Sequence, residues 1–99
     1  LEIARHLAER IIRQPGMADD RQRMAHAFQR VVSRKASTRE LDTLMELYRA
    51  ELERFEHNPE IASAALGKTS VAAADQPRLA AWFSIANVLL NLDETITKG

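Results

Sequence analysis

The chain contains no cysteine at all. That absence excludes disulfide staples, thiolate metal sites, a cysteine nucleophile and covalent haem attachment within these 99 residues. Glycine and proline are scarce, three of each. So few breakers leave long uninterrupted stretches, which favour helices over a many-stranded sheet. Aromatic residues make up only 5% of the chain, with one Trp and one Tyr. There is no excess of either charge sign, because 14 Lys and Arg balance 14 Asp and Glu. Overall charge therefore supplies no attraction to nucleic acid or an anionic membrane. No apolar run reaches the ~18 residues that a membrane-spanning helix needs.

What is present is ordinary for a folded protein. Hydrophobic residues are 45% and charged residues 28%, well outside the disordered range. The length suits one domain with a modest core. Zero net charge hides an uneven distribution. Residues 1–39 carry nine basic residues against four acidic ones, a net of +5. Residues 40–99 carry five against ten, a net of −5. The simpler account is that basic and acidic helices pair inside one fold. The sharper one is a basic surface that meets another domain or a partner.

Apolar spacing divides the chain into five helices. Ile3, Leu7 and Ile11, flanked by Ala4, Ala8 and Ile12, predict a helix over Glu2 to Gln14. Arg5, Glu9 and Arg13 fall on another face at the spacing for i,i+4 pairing, and Pro15-Gly16 ends the helix. A second helix is expected from Asp19 to Ser33, with Asp19 and Asp20 complementing its dipole and Met24, Phe28, Val31 and Val32 buried. Ser37-Thr38-Arg39-Glu40 has the form of a capping box. It opens a third helix running to about Glu56, with Leu41, Leu44, Met45, Tyr48, Leu52 and Phe55 on one face. Glu46, Arg49, Glu53 and Arg54 are expected on its solvated side.

Pro59 suits the first position of a short fourth helix that buries Ile61, Ala62, Ala65 and Leu66, with Gly67 as its C-cap. Lys68 to Asp75 reads as a loop. Asp75, just ahead of Pro77, is the expected capping acid of the last helix. Leu79 to Leu92 is nearly apolar, interrupted by Ser84, Asn87 and Asn91. A helix apolar all round is buried, so this one is expected at the centre, with Thr95 to Gly99 fraying. The expected fold is all-α, a compact bundle of four to five helices with a buried C-terminal helix. Residues 1–99 form one domain, read as the C-terminal piece of a larger protein.

The chemistry-bearing residues are scattered. His6, His26 and His57 have no partners at metal-ligand spacing and read as surface or capping residues. Asp19-Asp20 and Asp93-Glu94 are adjacent in sequence, so their side chains diverge by about 100° on a helix and do not converge as an acid and base. Asn87 and Asn91, at i,i+4, mark a solvent stripe or, if buried, a small polar pocket. Trp82 and Phe83 read as core. No phosphate-cradling loop or nucleophile elbow occurs. Helices two and three are a poor helix-turn-helix, because Glu40, Asp42, Glu46, Glu51 and Glu53 on the second would oppose phosphate. No catalytic, cofactor-binding or metal-ligating residue is assigned, and no cofactor is expected in this stretch.

Three segments nevertheless share a pattern. Ala4-Arg5-His6-Leu7-Ala8-Glu9-Arg10 resembles a helix of the form ARxLAER. Ala27 through Leu41 resembles LFRLVLGRPPTxxEL, with Ser33 where glycine is usual and Lys35-Ala36 in place of a Pro-rich turn. Ala81 through Glu94 resembles AWxxVARVLLNLDE, with Asn87 in place of a frequent Arg. In this order the three resemble the C-terminal region of a planctomycete-type family, domain of unknown function fifteen-fifty-three, also called planctomycete-specific domain one. The resemblance spans nearly the whole chain.

It implies a parent that is a large exported or periplasmic bacterial protein, often with a cytochrome-c-like haem segment and a second uncharacterised domain upstream. Such proteins are linked loosely to polysaccharide breakdown or surface electron transfer. No catalytic residue is established for this region, so none carries over, and any haem would bind upstream. The expected role is a non-catalytic structural or interaction module whose partners are other domains of the same polypeptide, with no nucleic acid and no membrane span. The alternative is one wall of an active site in an exported haem-linked oxidoreductase or polysaccharide-degrading enzyme. A module acting between chains is a third reading.

Overall fold

The protein is described by a computed structural model covering residues 2–69 and 71–98. The described side chains are those of residues 3–69 and 71–93. Five α-helices follow in order: α1 Glu2–Arg13, α2 Asp20–Val32, α3 Thr38–His57, α4 Pro59–Leu66 and α5 Gln76–Lys98. No strand occurs among the described residues. The radius of gyration is 13.1 Å, matching the ~13 Å of a compact 100-residue domain. No helix is long and apolar enough to cross a membrane among the described residues.

α5 is the hub and packs on each of the other four helices, most extensively on α1 and α3. Leu79, Ala80, Ala81, Trp82, Ile85, Ala86 and Leu89 are all buried, because an apolar surface on every side leaves this helix no face for water. The burial ends where the sequence turns polar. Asn91 and Leu92 are exposed, and the helix continues to Lys98 rather than fraying from Thr95. Gly99 lies outside the described residues.

α1 keeps the expected stripe except for Ile3. Its buried residues are Ala4, Ala8 and Ile11, with Leu7 and Ile12 half-buried, whereas Ile3 is 70% exposed. Two alanines on α1 face a helix that also carries Ala80, Ala81 and Ala86. Small side chains let two helices approach closely, so shape as well as hydrophobicity sets which residues turn inward. α4 is corrected in the same way. Ala62 and Leu66 are buried, but Ile61 and Ala65 are exposed. On α3 the buried set is Leu44, Met45, Tyr48 and Phe55, with Leu41 and Leu52 half-buried at its edge.

Helix ends follow local chemistry. The Asp19 side chain accepts the Gln22 amide as N-cap of α2. At α3 both arms of the capping box are made: the Glu40 amide donates to Ser37 Oγ at 3.1 Å, and the Ser37 amide donates to Glu40 Oε1 at 2.9 Å. Gly67 ends α4 with φ 67°. Asp75 does not cap α5. It closes a 3-10 turn at Ala73–Asp75, its amide donating to the Ala72 carbonyl at 2.9 Å. The Gln76 side chain instead donates back to the Val71 carbonyl at 3.1 Å.

Candidate functional site

The residues singled out from the sequence do not converge. His6 is exposed on α1. His57 is exposed at the end of α3, where its Nδ1–H donates to the Glu53 carbonyl at 2.9 Å, a capping contact. His26 is half-buried on α2. Asn87 is half-buried and donates to the Phe83 carbonyl of its own helix at 3.1 Å, which is local back-bonding rather than a pocket. Asn91 is exposed and Asp93 half-buried. The Glu94 side chain lies outside the described residues. Among the described residues no three His, Asp or Glu side chains group as a metal site.

Tertiary packing does assemble one polar cluster. Asp20, at the start of α2, accepts from Arg23 one turn later at 3.1 Å and from Arg78 of α5 at 3.1 Å. Tyr48 of α3 stacks on Trp82 of α5, ring centroids 4.5 Å apart. The Tyr48 hydroxyl, Trp82 Nε1 and Arg23 Nε are buried and make no hydrogen bond with the described residues. Burial pushes the Tyr48 phenol up to about 12, and the nearby Asp20 carboxylate adds to the rise. A phenol so held stays protonated at neutral pH and has no driving force to act as a base. Asp20 reads in sequence only as a dipole complement. The 58-residue separation of Asp20 and Arg78 gives no local sign of their pairing.

Arg78 also lines an opening between α1 and the start of α5. It is a cleft of about 360 Å³ lined by Glu9, Ile12, Arg13, Val71, Ala72, Asp75, Arg78 and Leu79. Glu9 is already engaged by Arg13 at 3.4 Å. Burial works against the charge of the Arg78 guanidinium, but its ion pair with Asp20 outweighs that and holds it more firmly protonated. Arg5, also on α1, donates to the carbonyls of Leu66 at 3.4 Å and Lys68 at 2.9 Å. It ties down the loop beside the cleft and satisfies carbonyls at the open end of α4. The cleft thus alternates carboxylate and guanidinium groups over an apolar floor. Such a lining can hold a polar or zwitterionic surface.

Compared with protein-family models, curated proteins and solved structures, the chain matches none.

Proposed function

We propose that this chain is a structural and interaction module, the C-terminal part of a large exported bacterial protein of the planctomycete-type family it resembles, with no catalysis of its own. The observation that carries the reading is where the three family-like segments sit. In the first, Ala4 and Ala8 are core and Arg5 holds the Leu66–Lys68 loop. In the second, Ala27, Phe28 and Val32 are core, Ser33 takes the left-handed turn, and Arg34 grips the capping-box Glu40. In the third, Ala81, Trp82, Ile85, Ala86 and Leu89 build the central helix. Each shared pattern is therefore accounted for by packing, turning or capping.

The test compares amide exchange in this chain alone with exchange in the chain joined to the rest of its parent. A packing module slows exchange on one contiguous face in the longer protein and raises the unfolding temperature. Identical exchange in both contexts would sink it. The cleft favours the second reading, one wall of an active site completed by another domain, because Glu9 and Asp75 both line it. Under that reading Glu9→Gln and Asp75→Asn abolish turnover in the parent without lowering its unfolding temperature.

A further inference from the structure

We propose that the α1–α2 face is a docking groove for an acidic segment of a protein partner. The inference rests on the reading of the chain as an interaction module and names where and by what chemistry it engages. Two adjoining depressions share His26. One is a narrow crevice between α1 and α2 that includes Arg10, Gln14, His26 and Arg30 in its walls. The other, about 470 Å³, runs from the Gly16–Met17 turn along α2 to Lys35 and Ala36. No carboxylate lines either one.

The cations there are unspent. Several other cations of the basic half are paired, Arg13 with Glu9, Arg21 with Asp42, Arg23 with Asp20 and Arg34 with Glu40, while Arg5 holds the Leu66 and Lys68 carbonyls and Arg39 lies outside both depressions. The side chains of Arg10, Arg30 and Lys35 form no ion pair or hydrogen bond with the described residues. The +5 of residues 1–39 is therefore cancelled only in part by the fold, and three of the remaining cations share the α1–α2 face. Grooves with one sign of charge over low-dielectric walls attract the opposite charge.

The floor decides what kind of anion fits. Ile11 and Ala27 are buried beneath the crevice and Leu7 is half-buried at its edge, while Met17 and Ala36 are half-buried along the larger depression. A ligand that fills it presents carboxylates beside small apolar side chains. A single-stranded nucleic acid stacks its bases on exposed aromatic rings. The only aromatic residue on α1 or α2 is Phe28, fully buried. A peptide rich in Asp and Glu and interspersed with Leu and Ala matches both the charge and the floor.

The experiment titrates this chain with a synthetic peptide of alternating Glu and Leu-Ala units, followed by amide chemical shifts and calorimetry. The expected shifts cluster at Arg10, His26, Arg30 and Lys35. Affinity falls about tenfold from 50 to 300 mM salt, as screening of paired charges requires. Arg10→Glu with Arg30→Glu, both exposed and with folding checked by circular dichroism, abolishes it, whereas Arg49→Glu on α3 leaves it unchanged. Shifts at the Glu9–Asp75 cleft, binding that survives the double reversal, or no binding overturns the proposal. So does tighter binding of a single-stranded oligonucleotide or heparin, which would make the groove a general polyanion site. Self-association lost in the double variant would assign the groove to a second copy of the chain and also overturn it. If the peptide fails but exchange in the parent is slowed on another face, the module reading stands without this groove.

Discussion

Ser33 concentrates the cost of a turn in one residue. It ends α2 with φ 66°, the one positive-φ residue other than glycine among the described residues. The left-handed region crowds Cβ against the carbonyl, at about 1–2 kcal/mol for most residues. Glycine avoids that clash but gains freedom in the unfolded chain. Ser33→Gly should therefore stabilise the fold by about 0.5–1 kcal/mol, raising Tm by roughly 2–8 °C in a thermal melt. Tyr48 gives a second residue-scale expectation. It is the only tyrosine, so the tyrosinate absorbance band reports it alone. Its midpoint should lie near 12. Because the folded value is raised, the stability it contributes is complete below the ordinary phenol value near ~10. That contribution is lost as pH climbs through 12. Its hydroxyl has no hydrogen-bond partner among the described residues. Tyr48→Phe should thus change stability by less than about 1 kcal/mol, while Tyr48→Ala should cost about 3–5 kcal/mol through lost packing. Chemical denaturation of both variants distinguishes the ring from the hydroxyl.

Between elements, the junction of α2 and α3 joins several local devices. Arg34 meets Glu40 through a two-pronged contact at 2.9 and 2.8 Å, and its guanidinium lies 5.0 Å from the centre of the Phe28 ring. Glu40 simultaneously closes the capping box on Ser37. The Arg34 contact and the Ser37 amide hold the Glu40 carboxyl well below its usual range, at about 2. Its stabilising contribution is present above the unfolded value near ~4.3 and is lost as pH falls toward 2. Melts between pH 5 and 2 should decline more shallowly for Glu40→Gln than for the parent chain, and an unchanged slope would remove Glu40 from the acid limb. The α1–α5 contact makes a different expectation. Ala8 is wholly buried where two helices meet, and Ile3 is mostly exposed. Ala8→Leu should destabilise by about 1–3 kcal/mol through overpacking, and Ile3→Ser by no more than about 0.5 kcal/mol. Urea titration of the pair tests the burial of Ala8 and the exposure of Ile3 directly.

Across the whole molecule, charge pairing is only partial. Two of the ion pairs join the basic half to the acidic half in the sense expected, Arg21–Asp42 and Arg34–Glu40. A third, Arg78–Asp20, runs the other way, with the acid in the basic half. The basic surplus left on α1 and α2 is the basis of the proposed groove, and its absence of carboxylates is visible only once the helices are packed. Much of the architecture was legible beforehand. Helix boundaries were readable because caps and breakers act over three or four residues: Asp19, the Ser37–Glu40 box, Pro59 and Gly67 all mark ends where expected. The end of α5 was not readable, since nothing local after Leu92 stops a helix. The Asp20–Arg78–Tyr48 cluster was hidden for a different reason, because its members come from three helices.

Helical character, the starts of the helices and the central place of the one from Gln76 onward all follow from the order of residues. Those outcomes depend on hydrophobic periodicity and on capping groups within a turn of the backbone they satisfy. Only the packed chain fixes that Ile3 stays outside while Ala4 and Ala8 are core, where the 360 Å³ cleft opens, and which arginines remain without a carboxylate. These depend on close packing and on charges far apart in the chain, and neither is written in local spacing.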